Sequence, residues 1–108
     1  MTTTTLLCQL SELPEHGAKG FDLDARKLFA VKRQKEVFLY ENRCPHKGIP
    51  LEWMPDIFLD AEKQFIQCST HGALFTIDQG QCIAGPCVGA RLQQVDFTII
   101  DGAICIQN

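Results

Sequence analysis

Val37-Phe38-Leu39-Tyr40-Glu41-Asn42-Arg43-Cys44-Pro45-His46 is an apolar run that ends in a cysteine and, two residues on, a histidine. The same event recurs downstream, where Gln64-Phe65-Ile66-Gln67 alternates into Cys68-Ser69-Thr70-His71. Short runs of this kind, punctuated by turn residues, read as β-strands that deliver loops. Leu28-Phe29-Ala30-Val31 precedes the first run by a polar turn over Arg33 to Glu36, so the two predict a hairpin. Leu74-Phe75-Thr76-Ile77 follows the second motif, and Asp78-Gln79-Gly80-Gln81 is a turn into Cys82-Ile83. Leu92 to Ile100, the Asp101-Gly102 turn and Ala103 to Ile106 predict a closing hairpin. Leu6 to Leu10 reads as a first strand, and Glu12 to Gly20, with Pro14, Gly17 and Gly20, as a loop. No stretch carries a 3.6-residue apolar stripe of helix length, and no repeat or linker is visible. The fold class is all-β, in one domain over residues 1–108.

With 45% hydrophobic and 21% charged residues, the chain has the composition of a folded globular domain. A net charge of −3 is of the wrong sign for a phosphate backbone, so nucleic acid is not an expected partner. Arg26, Lys27, Lys32, Arg33, Lys35, Arg43 and Lys47 nevertheless hold seven of the ten cations, with Glu52, Asp56, Asp60 and Glu62 following. This reads as a solvated surface, with a polarised docking face as the alternative. No apolar run approaches the roughly 20 residues of a membrane span, and the first residues lack the basic and apolar regions of an export signal. A cytoplasmic protein is expected. In that setting six cysteines point to metal ligands or reduced thiols before disulfides.

The two motifs combine as C-x-H, 21 intervening residues, then C-x-x-H, with Gly48 and Gly72 close behind. Two thiolates and two imidazoles on two loop tips form a ligand set for a metal centre. Zinc accepts such a set, yet structural zinc sites usually group like ligands together. Here each loop carries one of each kind. A Rieske [2Fe-2S] cluster suits that distribution, because one iron keeps two cysteines and the other takes two histidines.

On these motifs, with Pro50-Leu51-Glu52-Trp53 after the first, His71-Gly72-Ala73-Leu74-Phe75 within the second and Gly85-Pro86 further on, the sequence resembles stand-alone bacterial Rieske proteins of the ferredoxin type. The resemblance covers roughly residues 28–106. It implies that Cys44 and Cys68 ligate the inner iron and His46 and His71 the outer, solvent-near iron of one [2Fe-2S] cluster. It also implies that Gly85-Pro86 is the loop covering the cluster. The implied architecture is an antiparallel β-sandwich with a small cluster-binding subdomain. Where Rieske proteins of respiratory complexes carry an extra cysteine in each cluster loop, this chain has Ile49 and Thr70. Where those proteins place serine and tyrosine donors to cluster sulfur, it has Ala73 and Phe75.

The resemblance thus implies a soluble, monomeric electron carrier between a flavin-dependent reductase and a terminal oxygenase, with no catalysis of its own. A permanent electron-transfer subunit of a reductase, such as assimilatory nitrite reductase, is the alternative. From another class comes a structural zinc module for protein interaction. Cys8, Cys82, Cys87 and Cys105 read as small hydrophobes in strands or turns, although the place of Cys87 behind Gly85-Pro86 leaves a redox role open. His16 reads as an exposed loop residue, and Trp53 and Phe75 as packing around the cluster loops.

Overall fold

Leu28-Phe29-Ala30-Val31 forms the centre of strand β3 (Arg26–Arg33), and all four residues are buried. Successive side chains of a strand point to opposite faces, so such a strand needs a core on each side. The computed structural model describes residues 4–23, 26–34, 36–43, 45, 51, 58–68, 72–85 and 88–107, and among them two cores are present. Leu28 and Ala30 pack with Cys8, Leu13, Val37, Leu39, Ile104 and Ile106. Phe29 and Val31 pack on the other face with Tyr40, Phe58, Ile66, Cys68, Phe75 and Cys82, among others. There Phe29 stacks on Phe58 with ring centroids 4.4 Å apart and planes 7° from parallel. A fully buried side chain of this size stabilises by about 1.5–3 kcal/mol, so β3 ties the two halves of the molecule together energetically.

Three antiparallel sheets follow from this. The middle one is β2 (Gly17–Leu23), β3 and β4 (Glu36–Glu41), a meander running from Gly17↔Lys32 to Leu23↔Arg26 and from Leu28↔Glu41 to Arg33↔Glu36. On one side lies a sheet of β1 (Thr4–Gln9), β9 (Ala103–Gln107) and β8 (Phe97–Ile100). On the other lies a small sheet of β5 (Phe65–Gln67), β6 (Leu74–Thr76) and β7 (Cys82–Ala84). This small sheet is an insertion between β4 and β8. The chain returns from it along the free edges of its neighbours: Cys82 N–H donates to Ala90 O, Leu92 N–H to Gly80 O, Glu41 N–H to Gln93 O and Val95 N–H to Leu39 O. Among the described residues no helix is long and apolar enough to cross a membrane.

The expected all-β antiparallel sandwich with a small subdomain is therefore observed, with two differences of detail. Glu12 to Gly20 is not wholly loop. A 3-10 turn over Leu10–Glu12 leads into β2, which begins at Gly17. Glycine there does not break the strand but lets Pro14 lie against it, since a Cβ on Gly17 would stand 2.7 Å from Pro14 Cγ. The strand expected to start at Leu92 starts at Phe97, because residues 92–95 are occupied in crossing from the small sheet to the edge of β4. The Asp101-Gly102 turn is as expected: both residues have positive φ, 52° and 78°, as in a type I′ hairpin turn.

Candidate metal centre

Three loops leave the end of the small sheet and the adjoining end of β4. The first follows Glu41. Asn42 N–H donates to Lys27 O (2.8 Å), which ties the loop's start to β3, and Asn42 Oδ1 accepts the N–H of Leu51 (2.8 Å), which ties its far side to its start. Leu51 is fully buried. Cys44, His46 and Lys47 lie on this loop and outside the described residues.

The second loop joins β5 to β6. Cys68 N–H donates to Ala73 O (2.9 Å) and Gly72 N–H to Cys68 O (2.8 Å), so the two feet of this loop are paired with each other. Gly72 has φ of +69° in open space, so it is the backbone conformation and not crowding that calls for glycine. Cys68 is fully buried at the foot of this turn. His71 lies outside the described residues.

The third loop follows β7. Gly85 has φ of +98°, and a Cβ there would stand 2.7 Å from Ala73 Cα, so its backbone rests directly on the backbone of the second loop's foot. Pro86 and Cys87 lie outside the described residues, and Val88 beyond them is exposed.

Of the four expected ligands the structure thus describes one, Cys68. Among the described residues no three His, Cys, Asp or Glu side chains gather as a metal site. What the structure does bring together are the feet of the first two loops: Leu51, Cys68 and Ala73 belong to one buried cluster. A thiol withdrawn from solvent at the root of a loop suits a group that is held by sulfur from the protein side. The donor set of the two loops also matches [2Fe-2S] in charge, since two ferric ions, two sulfides and two thiolates cancel when the histidines are neutral.

Ala73 and Phe75 are both fully buried and present no hydroxyl. Phe75 packs in the core beneath the loops, as expected, while Trp53 lies outside the described residues. Cys82 is buried opposite Phe75, with Sγ 3.3 Å from Ala84 O. Cys8 lies in the other core, where burial, helped by Glu12 and opposed by Lys19, pushes its thiol pKa up. Both behave as small hydrophobes. His16 is exposed in a turn.

The cation-rich segment looks different in space. Arg26 pairs with Glu41 (3.2 Å) and Lys32 with Glu15 (3.4 Å). Lys27 stands opposite Asp22 in register and Arg33 opposite Glu36. Each cation of β3 therefore faces an anion from a neighbouring segment, and the two ends of the strand lie at opposite ends of the sheet. The solvated-surface reading holds for β3. Exposed pairs of this kind contribute little stability.

Sequence reasoning missed Asn42 and the close approach of Gly85 to Ala73. The first carries no motif, and the second depends on tertiary contact.

A family model described as "Rieske [2Fe-2S] domain" matches residues 3–98. No curated protein sequence matches the chain. Among solved structures, the ferredoxin of carbazole 1,9a-dioxygenase from Nocardioides aromaticivorans IC177 matches with a TM-score of 0.77 at 24% identity, over 96% of each chain. The Sphingomonas yanoikuyae B1 ferredoxin matches with 0.74 at 25% identity, over 98% of this chain and 99% of its own. A chain from the complex of reduced oxygenase and oxidized ferredoxin in carbazole 1,9a-dioxygenase matches with 0.74 at 17% identity, over 95% of this chain and 91% of its own. The identities of 24% and 17% speak for a shared fold.

Proposed function

The chain belongs to the Rieske [2Fe-2S] domain family, whose domain binds a [2Fe-2S] cluster, and from that premise we propose that it is a soluble cytoplasmic ferredoxin, monomeric, that carries single electrons from a flavin-dependent reductase to a terminal oxygenase. The observation that carries this reading is the match to the Sphingomonas yanoikuyae ferredoxin over nearly the whole of both chains. The oxygenase–ferredoxin complex among the matched structures supports the choice of acceptor.

In this reading Cys44 and Cys68 hold the inner iron, and His46 and His71 the outer. The cluster supplies one-electron storage. The chain's own residues seat it and exclude water: Cys68 comes from a fully buried position, and Ala73 and Phe75 line the second loop's foot without a hydroxyl. Gly85 brings the third loop down onto that foot. Partner contacts of electron carriers are small and transient, which suits a domain that passes one electron at a time.

The test is to purify the chain anaerobically, assay iron and sulfide, and record the electron paramagnetic resonance spectrum after reduction. Rapid mixing with a flavin-dependent reductase and then with a Rieske oxygenase follows. The reading requires a Rieske-type signal and electron transfer in both steps. A colourless, zinc-containing protein silent on reduction overturns it in favour of a zinc module, and a large subunit that co-purifies stoichiometrically overturns it in favour of a reductase component.

A further inference from the structure

Among the described residues Asn42 is the one polar or charged residue that is buried. Its position is fixed from two sides. Its own N–H is held by Lys27 O at the end of the central strand, and its Oδ1 holds the N–H of Leu51, nine positions along the chain. Leu51 in turn is fully buried in the cluster that contains Cys68 and Ala73. One residue therefore closes the mouth of the first loop: its backbone ties the mouth to β3, and its carboxamide ties it to Leu51, which shares a buried cluster with the foot of the second loop.

We infer that Asn42 is a positioning residue for the metal centre: its carboxamide oxygen sets the span of the loop that carries Cys44 and His46 and fixes that loop against the second. This rests on the ligand reading above. The residue type follows from the task. A buried amide N–H needs an acceptor, so leucine or alanine would leave the N–H of Leu51 without its Oδ1 partner in an apolar core. A serine hydroxyl is a carbon shorter and falls short of a partner held at the full reach of asparagine. Outer partners of this kind orient ligands without touching the metal, and their loss typically weakens metal binding about 10- to 100-fold.

The test compares Asn42→Ala, Asn42→Asp and Val37→Ala with the parent, all as cluster-loaded full chains. Val37→Ala perturbs the other core and serves as a control for general loss of stability. Asn42→Ala is expected to release iron to a chelator about 10- to 100-fold faster, to exchange the Leu51 amide proton faster, and to alter the paramagnetic line shape of the reduced protein. Asn42→Asp keeps an acceptor oxygen at the same reach and is expected to recover most of the Leu51 protection and of the slow release. Val37→Ala is expected to lower thermal stability with the line shape unchanged. The inference is overturned by an Asn42→Ala protein that matches the parent in release and line shape, by an Asn42→Asp protein no better than Asn42→Ala, or by Val37→Ala changing the line shape in the same way. Should Asn42→Ala fail to fold, Leu51 protection in Asn42→Asp decides alone. A failure of the ligand reading itself is visible earlier, in a parent protein with no Rieske signal.

Discussion

Tyr40 offers a quantitative test of the core that seats Cys68. Its ring is fully buried, its hydroxyl donates to Ile77 O, and it packs so closely on Gly80 that a Cβ there would stand 2.8 Å from its ring. A phenolate there would be withdrawn from bulk water. Burial, with Asp78 adding to it and Gln94 opposing, pushes its pKa from 10.0 up to about 12. The folded state thus holds this proton longer than the unfolded state does. The associated stability is complete below pH 10 and is lost as pH rises from about 10 to about 12. With those two values, tyrosine ionisation removes about 1.4 kcal/mol by pH 11 and on the order of 2.7 kcal/mol in full. Tyr40→Phe gives up the hydrogen bond to Ile77, a net cost of about 1 kcal/mol at neutral pH, but has nothing to ionise. The parent should therefore be the more stable of the two at pH 8, and the order should reverse near pH 11. Urea unfolding at both pH values measures the difference. Because Tyr40 is the one tyrosine in the sequence, its ultraviolet ionisation band reports the pKa directly. A constant gap between the two proteins from pH 8 to 11, or a tyrosine that titrates near 10, refutes the reasoning.

Other expectations attach to the loops. Gly85→Ala forces both a positive φ and a contact with the Ala73 backbone, so it should cost at least about 1–2 kcal/mol and loosen the cluster seat; an unchanged melting temperature and iron content contradicts the packing described. Cys68→Ser should assemble no stable cluster, because a hydroxyl is a poor iron ligand and is buried at a cost in this position; full iron and sulfide occupancy sinks the ligand assignment. With no hydroxyl at Ala73 or Phe75, the potential should lie toward the low end of the Rieske range of about −150 to +300 mV. Ala73→Ser should then raise it by about 40 mV, the equivalent of a hydrogen bond of about 1 kcal/mol for one electron, as read by voltammetry. A fall in potential would show that the new hydroxyl does not reach the cluster.

The sequence was most legible where one local pattern meets one physical demand. Leu28-Phe29-Ala30-Val31 reads as a strand because four apolar residues in a row need burial on both faces, and β3 has a core on each. The Cys/His motifs read as a ligand set because ligand chemistry fixes residue type and spacing together, and of the four residues the structure describes only Cys68. β2 was not legible, since Pro14, Gly17 and Gly20 look like loop punctuation until the contact between Pro14 and Gly17 is seen. The cation run reads as a solvated surface, and on β3 it is one, but the sequence does not say which anions face it. Linear charge density says nothing about which strand lies alongside, and antiparallel pairing set Asp22 and Glu36 against Lys27 and Arg33. Asn42 escaped notice because a buried amide is recognised by its partner, Leu51, and not by its neighbours in sequence.

The two faces of β3 also divide the labour of the fold. The core on one face joins the middle sheet to β1, β8 and β9, and among the described residues it includes none from the three loops. The core on the other face includes Leu51, Cys68 and Ala73, so the same apolar contacts that hold the small sheet to the middle sheet also set the feet of the cluster loops. An electron carrier benefits when its centre changes shape little between oxidised and reduced states. Here that rigidity comes from close packing on the loop side of one strand, with Phe29 stacked on Phe58 behind the site, Gly85 pressed onto Ala73 and Asn42 spanning the first loop.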